Sequence, residues 1–328
     1  MSLPKHFVTP EKAEHHAQIL SNRIRNRYRH LSRRFRKQGI ECFRLYDWDI
    51  PEVRAVVDWY AGHVVIAEYE RLQTGPWWLP RMALAVAETL KLSMDQVYVK
   101  RRRTGPGKED RPRYSRLDSR GERFPATERD LKFWINLNDF LDTGLYSDHR
   151  NTRVLIREIA QGKDFLNLFA YTGAFTCAAA AGGAKTTVTV DRSETYLQWA
   201  QDNLKLNELW GTDHELIQSD VPRFLSQAQK EGRRFDLAFV DPPSFYKEQS
   251  RDLCFDINED HPGLLKSVLR LMKPGSTVFF STNHQRFEPR FEGLPVQELK
   301  ELTPRTIPED YRNRKIHRCW RMISPARP

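Results

Sequence analysis

Leu20, Ile24, Tyr28, Leu31 and Phe35 recur at spacings of four, four, three and four, the period of one helix face. They predict one long helix over residues 11–38, with Gly39 as a C-terminal cap residue. Between about 41 and 140 the pattern changes to short β-branched and aromatic runs: Cys42–Tyr46, Val64–Tyr69, Val97–Val99 and Phe133–Leu137, with a helical stretch near 79–92. The segment Arg101–Gly121 holds Thr104-Gly105-Pro106-Gly107 among many charges and reads as a loop or exposed hairpin. From Asp148 onward strands and helices alternate. Strand-like runs fall at 164–168, 186–191, 214–218, 236–240, 276–281, about 296–303 and 316–323, and helical stretches at 149–160, 173–181, 193–208, 221–231 and 260–272. Strict alternation predicts a mostly parallel α/β sheet covered by helices on both faces, with the last two strands as an antiparallel pair at one edge. The expected organisation is a basic helical arm (1–40), a small α+β domain (41–140) and a Rossmann-like α/β domain (141–328).

Charge changes this picture. The chain carries net +10, and residues 1–40 alone hold ten basic and two acidic residues. Residues 100–123 hold ten basic and four acidic, so all remaining residues together are slightly acidic. Cationic surface gathered into two segments is the footprint of a polyanionic partner such as nucleic acid. A solvated helix face plus a basic loop is the plainer alternative. No run approaches the ~18 apolar residues of a membrane span, and the basic N-terminus lacks a signal peptide's apolar stretch. The expectation is a cytoplasmic protein without membrane contact. Cys42, Cys177, Cys254 and Cys319 are scattered without metal-ligand spacing, so they read as reduced thiols and no metal is expected.

The ends of the alternating strands carry the candidate chemistry. The first runs into Asn167-Leu168-Phe169-Ala170-Tyr171-Thr172-Gly173, a glycine-bearing turn that lets a ligand approach the backbone. The second ends at Asp191, placed to accept ribose hydroxyls, and is followed by Arg192. The third ends in Ser219-Asp220 and the fourth in Asp241-Pro242-Pro243-Ser244-Phe245. A pyrophosphate needs several glycines so that amides can wrap it, and this turn has one. With Asp220 available for an exocyclic amine, an adenosyl group without phosphates fits better than a dinucleotide, and S-adenosyl-L-methionine is the common cofactor of that shape. The two prolines stop the strand beside the Asp241 carboxylate, and Phe245 offers a face for base stacking.

These segments resemble motifs I to IV of the class I S-adenosylmethionine-dependent RNA methyltransferases. Thr143-Gly144-Leu145-Tyr146-Ser147-Asp148-His149-Arg150 resembles the segment before motif I in the ribosomal RNA subgroup. Residues from about Asn22 to Trp320, including Asn22–Arg25, Gly39–Cys42, Arg44–Asp47, Lys163–Phe169, Ile316-His317 and Cys319-Trp320, resemble the guanine-N7 half of a fused bacterial 23S ribosomal RNA enzyme. The resemblance implies a seven-stranded sheet, S-adenosyl-L-homocysteine as product and ribosomal RNA as partner. It places Asp191 at the ribose and Asp220 at the adenine amine. It puts Asn167, Phe169, Tyr171, Thr172, Gly173 and Arg192 around the cofactor, Asp148 and Arg150 at its methionine end, Asp241 against both cofactor and methyl-accepting base, and Pro242, Pro243 and Phe245 at that base. The 41–140 region becomes an RNA-binding domain, with Arg23, Arg25, Arg27, Arg29, Arg33, Arg34, Arg101, Arg102 and Arg103 as RNA contacts. The fused enzyme's other half has no counterpart here, so a separate protein is an expected partner.

Guanine N7 presents an in-plane lone pair and needs placement more than a base. Asn283 is a candidate for the guanine edge, with a turn role as its alternative, and His149 reads as structural. Cytosine C5 chemistry needs a thiolate after the fourth or fifth strand, where none stands. Methylation of an exocyclic amine, guanine N2 or adenine N6 on RNA or DNA, stays open on residue chemistry alone. So does a non-catalytic RNA-binding assembly factor with a vestigial methyltransferase fold.

Overall fold

The computed structural model describes residues 8–70, 74–103, 118–248 and 253–326; the predicted basic loop at 104–117 lies outside the described residues. The chain divides into two compact units, Met1–Ser147 with Glu309–Arg312, and Asp148–Pro308 with Asn313–Pro328.

In the first unit, α1 (Pro10–Lys37) starts where Thr9 accepts from the Lys12 amide and proline occupies the first turn. Its apolar stripe is buried at Ala13, Ala17, Leu20, Ile24, Leu31 and Phe35, while Tyr28 is only half-buried and rests on Trp59. Each large side chain removed from water on this face stabilises the fold by about 1.5–3 kcal/mol. The stripe shares one core with β1 (Cys42–Asp47), β2 (Ala55–Tyr60), β3 (His63–Glu70), α2 (Trp78–Leu90) and β4 (Val97–Arg103). The strands lie in that order; β1, β2 and β3 pair antiparallel and β4 runs parallel to β3. A second hairpin, β5 (Phe124–Glu128) with β6 (Leu131–Ile135), touches the turn after α1. There Gly39 has φ +66°, and a Cβ would sit 2.4 Å from the Arg129 carbonyl oxygen. Only glycine permits that approach.

In the second unit, α3 (Arg150–Ile159) leads to β7 (Asp164–Leu168), α4 (Ala174–Ala181), β8 (Thr186–Asp191), α5 (Glu194–Leu206), β9 (His214–Gln218), α6 (Val221–Lys230) and β10 (Phe235–Val240). A hairpin of β11 (Phe245–Glu248) and β12 (Leu253–Asp256) precedes α7 (Ile257–Leu269), β13 (Met272–Thr282), β14 (Glu298–Glu301), the short α8 (Thr303–Thr306) and β15 (Arg318–Ile323). The sheet order is β14-β15-β13-β10-β7-β8-β9, with only β15 antiparallel to its neighbours. It is the mostly parallel, seven-stranded α/β sheet that the alternation predicts. Two apolar layers cover its faces, one holding Leu166, Val188, Phe224, Val240 and Leu265, the other Ile156, Phe165, Phe175, Leu237 and Phe239. Burial on both faces is why the central strands read as continuous apolar runs.

The sequence pattern does not predict strands β2 and β5 or the short α8, and β4 runs to Arg103, into the segment expected as a loop or exposed hairpin from Arg101. Two further details depart from that pattern. The β11–β12 hairpin has strands of four residues, too short to show a period. The helix expected from 260 begins at Ile257 because Asp256 caps it, which leaves Pro262 inside. Proline has no amide for the Asn258 carbonyl, and the Arg290 guanidinium donates to that oxygen instead.

Candidate active site

Chain order reverses between β7 and β10, and ligands of open α/β sheets bind beyond the strand ends at such a point. In the loop after β7, Phe169 (φ +57°), Tyr171 (φ +50°) and Gly173 (φ +71°) all take the left-handed conformation. Two of them are not glycine, and each such residue costs about 1–2 kcal/mol, strain that collects at functional sites. Asp191, at the tip of β8, ties the loop down. One carboxylate oxygen accepts the Tyr171 amide and the other the Ser193 amide, both at 2.9 Å. Burial pushes its pKa up, against the pull of those amides. Each oxygen keeps a second lone pair for a ligand hydroxyl.

Gly173 does something other than admit a ligand. A Cβ there would lie 2.6 Å from the Ala200 Cβ on α5, so the glycine lets two helices approach. Gly173→Ala is expected to lower stability by about 1–3 kcal/mol and loosen the loop, read as a lower melting temperature.

Next along the sheet, Asp220 accepts the Tyr246 hydroxyl at 3.2 Å. Tyr246 stacks on Phe255 with centroids 5.5 Å apart, Phe255 meets Phe169, and the Arg192 guanidinium lies 5.0 Å from the Tyr246 ring centroid. Tyr246 and Phe255 escaped the sequence reading because their short hairpin did.

At the end of β10 stands Asp241, which with Asp148 flanks two stacked histidines. His149 and His317 have ring centroids 4.1 Å apart at 14°. The His149 Nε2 lies 3.8 Å from a carboxylate oxygen of Asp148 and 3.8 Å from one of Asp241, while the His317 Nδ1 is 2.9 Å from Asp148. Burial, then His317, drives His149 down to about 3, so the ring is neutral. Burial and then the Asp148 carboxylate push Asp241 up to about 7, while His317 pulls the other way. Asp148, His149 and His317 bring three ligand atoms within 4.8 Å. A metal ion must lie in the plane of each imidazole that binds it, and two near-parallel stacked rings share no such point. The cluster is a proton and charge network. His149 is packed between Phe175, Phe239 and His317, as a structural histidine would be.

Residues 89–305, well over half of the chain, match the family model of S-adenosylmethionine-dependent methyltransferases. The chain belongs to that family. Solved structures agree on the fold. SMU.776, described as a methyltransferase complexed with SAH, superposes with a TM-score of 0.73 at 20% identity, covering 94% of this chain and 81% of that one. A SAM-dependent methyltransferase from Streptococcus mutans gives the same values. The SAM-dependent methyltransferase from Agrobacterium tumefaciens gives 0.60 at 16% identity, covering 88% and 91%.

The strand-end residues of this methyltransferase fit its cofactor. Asp191 and Asp220 offer acceptors at adjacent strand tips, and the loop after β7, with Gly173 as its one glycine, lacks the glycines a pyrophosphate needs. Other candidates also make contacts within the protein. Asn167 lies in β7, not in the loop; it is buried and donates to the Thr176 hydroxyl at 2.9 Å, although its side-chain oxygen meets no partner among the described residues. Thr172 and Arg150 are buried, and the Thr172 carbonyl accepts from Asn203 at 2.9 Å. Asn283 is exposed and accepts from the Ser244 hydroxyl at 3.0 Å, which ties it to the Asp241 turn.

The arginines divide in the same way. Arg23 pairs with Asp49, Arg27 donates to the Asp310 carbonyl, Arg34 pairs with Glu309, Arg101 with Glu68 and Arg102 with Asp142. Arg103 ends β4, and its side chain lies outside the described residues. Arg25, Arg29 and Arg33 remain exposed along one stripe of α1, continued by Arg36. No described helix is long and apolar enough to cross a membrane.

Proposed function

We propose that this methyltransferase modifies guanine N7 in large-subunit (23S) ribosomal RNA by direct in-line transfer. The observation that carries the reading is Phe245. It is 43% exposed on the rigid turn that begins with Asp241, where a large aromatic side chain has no packing reason to face solvent. The whole-chain resemblance to the N7 enzymes selects the atom.

Asp191 would hold the ribose, Asp220 the adenine amine, and the Phe169–Gly173 loop with Asp148 and Arg150 the methionine end. S-adenosylmethionine bound there supplies a sulfonium methyl, whose C–S electrons return to sulfur as the N7 lone pair forms the new bond. Phe245 stacks the base, a contact of about 1–3 kcal/mol. Pro242 and Pro243 fix the turn, and Ser244 bonded to Asn283 braces it. The Asp241 carboxylate faces the cation that develops on the methylated guanine. N7 of an A-form helix is out of reach of side chains, so the substrate is single-stranded or loop RNA with the base turned out.

Four arginines at 25, 29, 33 and 36 span about 16 Å of helix, a rail for phosphates. Replacing Arg25, Arg29 and Arg33 with alanine is expected to lower RNA affinity and to flatten the slope of log affinity against log salt by about 2, with cofactor affinity unchanged. Filter binding over a salt series measures it.

One observation favours a second reading, methylation of an exocyclic amine. Asp241, held near 7, can accept a proton at neutral pH, which an amine must lose and N7 need not. Transfer of labelled methyl to 23S RNA followed by nucleoside analysis decides. 7-Methylguanosine supports the proposal; methylated N2 or N6 moves the assignment to the amine. 5-Methylcytosine would overturn the thiol argument, since Cys319, the thiol facing Asp241, is buried and held protonated. Calorimetry that finds RNA binding without cofactor binding would favour an assembly factor.

A further inference from the structure

The hydrogen bonds around His317 constrain its protons. Thr306 spends its single hydroxyl proton on the Thr303 carbonyl at 3.1 Å, so at 3.0 Å it must accept from the His317 Nε2. The other ring nitrogen, Nδ1, faces an Asp148 carboxylate oxygen at 2.9 Å. An ionised Asp148 only accepts, so Nδ1 donates to it, and the buried ring is held at both ends. Asp241 lies 3.8 Å from the His149 Nε2 and feels both Asp148 and His317, with the Ser281 hydroxyl beside it, but among the described residues no ring N–H is bonded to it at the 2.9 Å of the His317–Asp148 contact. Two carboxyls, one held by a buried ring nitrogen and the other not, do not share a proton equally.

We propose that His317 is a positioning residue: through its bond to Asp148 it keeps that carboxyl ionised, so that the one proton the pair exchanges belongs to Asp241, the carboxyl facing the base. The inference rests on the reading of Asp241 as the base-facing group. The other titratable and charged groups acting on this network are Arg153 on α3, which acts on His149, Cys319 on β15, which meets Asp241, and Glu301 on β14, which acts on Cys319 and is held by Arg318. Burial and the Asp148 carboxylate both push Asp241 up toward neutrality, in agreement with this division.

The test is a pH titration of the full chain carrying 13C-carboxyl aspartate, with the two signals assigned from D241N and D148N. In the unmodified protein the Asp241 signal should move near neutral pH while that of Asp148 stays still. In H317Q, which keeps a donor toward Thr306 but none toward Asp148, both signals should move together. The acidic limb of methyl transfer to 23S RNA should then shift by about one pH unit. H317N, which leaves an N–H facing Asp148, should restore part of the separation. Unchanged, separate titrations in both folded variants would overturn the inference. Failure of the unmodified protein to methylate 23S RNA, with the carboxyl titrations behaving as described, would instead sink the functional reading and leave the network assignment standing.

Discussion

Asp191→Ala is expected to weaken S-adenosylmethionine binding by about 100-fold or more while RNA affinity stays within about twofold. Two charge-assisted hydrogen bonds to ribose hydroxyls are worth about 1.5–3 kcal/mol each, and tenfold in affinity is about 1.4 kcal/mol. The same change also frees the Tyr171 and Ser193 amides that the carboxylate now holds at 2.9 Å. The strained Phe169–Gly173 loop then loses its anchor, so the loss should exceed that of the ribose bonds alone. Isothermal titration with the cofactor, beside RNA binding on the same preparation, gives both numbers. Equal loss of both bindings would mean that cofactor and RNA are not held by separate surfaces.

Asp241→Asn should leave cofactor affinity nearly intact and cut methyl transfer. If Asp241 only balances charge on N7-methylguanine, the fall should be about 10–100-fold, the scale of removing one electrostatic contact. If it removes an amine proton, the loss should reach about 10³–10⁴-fold. The pH profile carries the sign. The ionised form is the active one in either case, and burial holds Asp241 up to about 7, so the rate should rise with pH through neutrality and then level. The asparagine variant should lack that limb. Single-turnover rates between about pH 5.5 and 8.5 would show it. A limb that persists in the variant belongs to another group.

Much of this was legible before any coordinates. The α1 stripe is a local period, and four of its five members are buried as the period requires. Apart from the β11–β12 hairpin and the short α8, the order of strands and helices from Asp164 to Ile323 follows from the alternation of short strand-like runs and helical stretches. Strand-tip acids were legible because each stands at the junction of two strong patterns. Gly173 carries a packing constraint that the sequence did not show, since a Cβ there would meet Ala200 on a different helix. Asn167 was placed in the loop although its position in β7 turns it toward Thr176 and away from solvent.

The sequence by itself determined the α/β architecture, the seven-stranded sheet and the aspartates at its tips, because hydrophobic periodicity and capping act within a few residues of chain. Tertiary structure alone decided which charges are available. Arg27 is held by Asp310, 283 residues away, and Asp148 by His317, 169 residues away. It also decided that Tyr246 reaches Asp220 and that β15 lies between β13 and β14. Hydrogen bonds and ion pairs depend on a few ångströms of space, and separation along the chain carries no trace of that distance.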